Sequence, residues 1–205
     1  MRTQPTLPLF VDTNVLFVGT MNEDETTQTL SDKVIDRANV LRFGCPSDLS
    51  SVLDDVTGDG KPKPSTNLLP YKSWKSWIKS VENGAANDVL HQSAGIIERL
   101  NSALRLVGRP FAHRTFKSML AYVANYPDVV ADSHQTAISD QIEMKILPKL
   151  RGVDLTENRA RQALAELQSI IEDLNDQELL EALKLSIRDS EHAFTWRGVD
   201  RTQQV

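Results

Sequence analysis

Cysteine is almost missing from this chain. One residue, Cys45, in 205 excludes an internal disulfide and any site built from several cysteines. No apolar run approaches the roughly 20 residues a helix needs to cross a bilayer. The opening stretch, MRTQPTLPLF, lacks the apolar core of a signal peptide. Charge is also modest. A net charge of -5 and a pI near 5.4 give no global attraction to nucleic acid or to an anionic membrane. The four histidines, His91, His113, His134 and His192, show no ligand spacing, so no metal site is expected. G-x-S-x-G does not occur, which leaves a serine hydrolase without support. No repeat with a period of 20 to 50 residues is visible. These absences together suggest a cytoplasmic protein without membrane contact.

What is present is ordinary for a globular protein: 40% hydrophobic and 25% charged residues. Met1 to Pro8 reads as an extended arm, and Leu9 to Val11 as a possible sheet edge. Val15 to Val18, closed by Gly19, reads as a short buried strand. A polar loop, Thr20 to Thr29, leads to a helical pattern with Leu30, Val34, Ile35 and Ala38 on one face. Ser31 and Asp32 suit its start by capping and by dipole. Val40 to Phe43 reads as a second strand. Gly44 and Pro46 break the pattern, Pro46-Ser47-Asp48 can open a short helical turn, and GDGKPKPST reads as an exposed loop.

From Tyr71 onward the periodicity is helical. Trp74, Trp77, Ile78 and Val81 fall at i, i+3, i+4, i+7, with Lys72, Lys75 and Lys79 offset from them. Helical stripes follow over Asp88–Val107, Arg114–Asn125, Ala131–Leu147, a stretch opened by Thr156-Glu157-Asn158-Arg159, and a last helix capped by Asp176. The expected fold is an α/β N-terminal fragment, two or three strands and a short helix, followed by an all-α domain. Mostly helical overall, it divides into residues 1–46, a linker over 47–70, a helical domain over 71–195 and a polar tail over 196–205. Two strands cannot make an independent sheet domain, so the α/β part would need strands from elsewhere.

GTMNEDE followed by LSDKVIDRA resembles the second half of an AAA+ nucleoside-triphosphatase core. RPFAHRTFKSMLAYVANY and DQIEMKILPKLRG resemble the lid of McrB-like proteins, the nucleotide-hydrolysing subunits of modification-dependent restriction systems. The resemblance implies that Asn22 is the sensor-1 residue, Asp32 the acidic residue opening the next helix, Arg37 the arginine finger and Arg114 the lid arginine that meets nucleotide. It implies ATP or GTP with Mg2+ as cofactor, a ring of like subunits or of P-loop-bearing AAA+ partners, a nuclease subunit, and DNA as an indirect target. The chain departs from the family in two places. Gly58-Asp59-Gly60-Lys61, followed by Pro62, does not have the spacing of G-x-x-x-x-G-K-[ST]. The acidic strand end that binds magnesium is also missing. The chain would therefore supply sensor 1, finger and lid without the phosphate cradle, and should not hydrolyse nucleotide alone.

Each of these residues has a plainer reading. Asn22 can satisfy its own turn backbone. Arg37 can be a surface arginine at a helix C-terminus, with Arg42 in reserve as a finger. Arg114 can be an ordinary solvated arginine, with Arg109 as its competitor for the lid role. The helix with Trp74 and Trp77 reads as packing its tryptophans inward, and KILPKLRG as a helix end and turn. Two other functions stand beside the AAA+ reading. One is a non-enzymatic helical adaptor that docks on a partner ATPase and contributes Arg37 in trans. The other is a DNA-binding module using the Lys72 to Lys79 helix.

Overall fold

The computed structural model describes residues 11–12, 15–21, 30–43, 68–78, 81, 87–127 and 133–199. The chain separates into two compact units, one from Met1–Thr29 and Pro64–Ile78, the other from Leu30–Lys63 and Lys79–Val205. Helix α1, Asp32–Ile35, belongs to the second unit and α2, Tyr71–Trp77, to the first.

In the first unit, Val15 to Val18 is irregular and exposed rather than a buried strand. Tyr71 ties α2 to this segment, donating its hydroxyl hydrogen bond to Asp12 Oδ2 at 3.1 Å. None of the α2 residues is buried. Trp77, expected to face inward, is 58% exposed, and Ile78 is exposed beside it. A seven-residue helix is too short to bury a stripe unless another element covers it.

The second unit holds the core. Helix α3, Asn87–Leu106, packs on α6, Asn158–Asp173, and on α4, His113–Asn125. Helix α5, Ser133–Gln141, packs on α4, and α7, Gln177–Arg188, on α6. The stripes explain the packing, since Ile97, Leu100, Leu104, Leu167, Ile171 and Leu183 recur at helical spacing and are buried in one cluster. Helix ends follow local chemistry. Gly108, at φ 69°, ends α3 in a Schellman turn, with Arg109 N–H donating to Leu104 O at 2.9 Å and Gly108 N–H to Arg105 O at 3.1 Å. Asn175, in the left-handed region at φ 58°, ends α6. Asp176 then caps α7, its carboxylate accepting from Leu179 N–H at 3.0 Å.

No strand occurs among the described residues, only two isolated bridges, Phe43 with Val199 and Asp154 with Ala193. The expected α/β fragment is therefore corrected to irregular chain and one helical turn. The reason lies in the backbone. A short apolar run becomes a strand only when neighbours complete its ladder. Val40, expected in the second strand, instead gives its N–H to Met144 O, a helical carbonyl, at 3.2 Å. The short helix was expected to run to Ala38 but is one turn long, with Ile35 its buried residue. Leu9 and Phe10, and the turn after Pro46, lie outside the described residues.

Candidate functional site

The most unusual local structure follows α5. The chain widens into a π turn, Ile142–Ile146, then tightens into a 3-10 turn, Leu147–Leu150. Such switches of helix type are often found at functional sites or points of strain. Pro148 explains the change, because it has no N–H for the carbonyl four residues back, that of Met144. Every residue from Gln141 to Leu150 is buried, and four of them are polar or charged: Gln141, Glu143, Lys145 and Lys149. Burying charge requires partners. Lys149 is paired with Asp36, and Lys145 donates to Ala38 O at 3.0 Å. Burial pushes the Lys145 ammonium below its ordinary range, the nearby Lys149 charge adds to this, and Asp36 opposes it. The side-chain amide of Gln141 has no hydrogen-bond partner on either atom.

Residues 36–43 cross this corner and continue onto a buried C-terminal segment. Arg42 donates to Trp196 O at 3.0 Å, and burial lowers its pKa. Gly198 has φ 88°, and a side chain there would run into the Arg42 carbonyl. Phe194, Trp196 and Val199 are all buried in the main cluster. The arrangement is an ionic seam that holds chain segments together.

Of Asn22, Arg37 and Arg114, expected to carry nucleotide chemistry, the two arginines are described. Asn22 lies outside the described residues. Arg37 is exposed just past α1, an element that packs on the 3-10 turn. Arg114 is exposed in the first turn of α4, whose N-cap residue Ala112 has no side-chain cap. Beside it a cleft of about 520 Å³ is lined by Glu98, Asn101, Arg105, Phe111, His113 and Phe116. Asn101 shapes that corner by holding both the N–H and the C=O of Phe111, at 2.9 and 3.2 Å. Arg42, the reserve finger, is turned to the Trp196 carbonyl. Among the described residues no group of three histidines, cysteines or carboxylates could hold a metal ion, and no helix is long and apolar enough to cross a membrane.

A family model for a domain of unknown function, DUF8727, matches residues 65–197, more than half of the chain. The chain belongs to the DUF8727 family. No curated protein and no solved structure matches it. The DUF8727 span contains α2 to α7, the buried π corner and both of its lysines, while Asp36 and its neighbours precede it.

Sequence reasoning missed the buried lysines. Lys145 and Lys149 looked like the basic end of a lid helix. The available signal was their setting, since Ile142, Met144, Ile146, Leu147 and Leu150 occupy the surrounding positions and leave little solvated face.

Proposed function

We propose that this DUF8727 chain is a helical adaptor, a non-enzymatic module that docks on a partner protein through the apolar surface of its N-terminal unit. The observation that carries the reading is the exposure of that unit's large side chains. Phe17 is 85% exposed, Val18 90%, Leu68 93% and Trp77 58%. Contiguous exposed apolar groups mark interaction sites more often than isolated ones do. Some charged residues of the helical unit, by contrast, hold segments together, as in Asp36–Lys149 and Arg99–Glu166–Asp173.

The adaptor reading needs neither a phosphate cradle nor an α/β fragment, and no strand occurs among the described residues. Within it, ATP or GTP with Mg2+ would belong to a P-loop-bearing partner. Arg37, exposed, is the residue this chain would lend to it, and Arg114 is the arginine to examine next.

A DNA-binding reading has one observation in its favour. Tyr71, Lys72, Lys75 and Trp77 are all exposed on α2, the mixture of aromatic faces and cations that single strands use. The aliphatic character of Val15, Leu16, Val18 and Leu68 favours a protein surface over stacked bases.

A photo-crosslinking amino acid placed at Phe17 in the native host separates these readings. One dominant protein adduct, absent when the probe sits at exposed Ala165 on α6, supports the adaptor. A P-loop ATPase in that adduct would give Arg37 its context. Adducts to DNA support the alternative. Adducts at Phe17 no different from those at Ala165 sink both.

A further inference from the structure

The seam over the π corner joins segments far apart in sequence, and its N-terminal member lies outside the family-matched span. Three contacts seat that member. Asp36 pairs with buried Lys149, Ala38 O accepts from buried Lys145, and Val40 N–H donates to Met144 O. The last contact uses a vacancy written into the sequence. Pro148 cannot donate to Met144 O, so the strap supplies a donor that the helix itself withholds. Further along, Arg42 donates to Trp196 O and Phe43 bridges to Val199, while the apolar packing of the strap is light. Val34, Leu41 and Phe43 are exposed, and Ile35 is its one buried hydrophobic residue among the described residues.

We propose that residues 30–43 form a latch on the DUF8727 domain, seated by the Asp36–Lys149 pair and the Met144 carbonyl left open by Pro148, and able to open as a unit while the helical core stays folded. The domain therefore extends N-terminal of residue 65 in physical terms. Segments with few buried apolar contacts are the ones that open below the global unfolding free energy. Here an ion pair, rather than packing, sets the opening. Opening would expose Lys145 and Lys149, so a closed latch also conceals a cationic surface. Removal of one partner leaves the other as an uncompensated charge, which strongly disfavours the closed arrangement.

Hydrogen exchange on the full chain tests this, comparing wild type with Asp36→Asn, Lys149→Met and Pro148→Ala. Asp36→Asn should speed exchange across 36–43 by roughly 10-fold or more, because the buried Lys149 ammonium loses its partly buried partner. Exchange in α6 and α7 should stay at the wild-type rate. Pro148→Ala gives Met144 O an N–H donor within its own helix, and should speed exchange at Val40 more than at Ala38. Should Lys149→Met fail to fold, Asp36→Asn still decides, because Asp36 is only half-buried. Unchanged exchange at 36–43 in Asp36→Asn overturns the ionic latch. Acceleration of 36–43 together with α6 overturns its independence, because the strap would then be part of the cooperative core.

Discussion

Trp77 and Trp196 are the same residue type in opposite circumstances. Trp77, in the N-terminal unit, is 58% exposed on a two-turn helix, whereas Trp196, near the end of the helical unit, is 1% exposed in the main core. The contrast extends to the units around them. In one, large apolar side chains face solvent. In the other, even lysines are buried and paired. On the adaptor proposal, stability and interaction belong to different parts of the chain. A core that already buries its apolar stripes has little to offer a partner, and a unit that leaves them exposed gains little by folding alone.

The largest expected effect comes from the core. Trp196→Ala should destabilise the helical unit by about 3–5 kcal/mol, read as a shift of the denaturant midpoint. Trp196→Phe should cost much less, because the indole N–H makes no hydrogen bond that would be lost. A Trp196→Ala protein as stable as wild type would mean that the C-terminal segment is not part of the core.

Next in size is Asn101→Ala. Asn101 satisfies both backbone groups of Phe111. Its removal should cost on the order of 1–3 kcal/mol, because two peptide groups at a partly buried corner lose their partners. Asp176→Ala should cost about 1 kcal/mol by uncapping α7. Equal stability of both variants and wild type in urea would show that these local contacts are replaced by water at no cost.

Alkaline pH probes the same core more gently. Burial, and then its hydrogen bond to Asp140 at 2.8 Å, raise the Tyr122 hydroxyl above its ordinary value near 10. A group whose folded pKa is raised gives stability that is complete below the unfolded value and is lost as pH climbs toward the folded one. Stability should therefore decline from about pH 10 upward, with Tyr122 ionising late. Tyrosinate absorbance should show a delayed step among the three tyrosines, and Tyr122→Phe should remove it. A wild-type titration without a delayed step would contradict this.

Much of the helical unit was legible in the sequence. Stripes of Ile and Leu at helical spacing, Gly108 as a stop and Asp176 as a cap each act locally, so reading them needs no tertiary information. The N-terminal strands were misread because a run such as Val15 to Val18 carries the same signal whether or not neighbouring strands exist. Trp77 of α2 was misread for a related reason, whereas Trp74 is half-buried. Period 3.6 states which residues share a face, and leaves open whether anything covers it. The ionic seam was illegible because Asp36 and Lys149 are far apart in sequence and meet only through tertiary folding. The roles attached to Asn22, Arg37 and Arg114 came from resemblance, and the geometry of the latter two adds only that they are exposed.

The smallest expected effect on stability is the most direct test of this division of labour. Trp77→Ala should shift the unfolding midpoint by no more than about 0.5 kcal/mol, the range of ordinary surface changes. In the same protein, crosslinking of a probe at Phe17 to its partner should fall sharply. A loss of stability comparable with that of Trp196→Ala, with crosslinking at Phe17 undiminished, would contradict the account, because Trp77 would then be a core residue and the N-terminal unit would not be the docking surface.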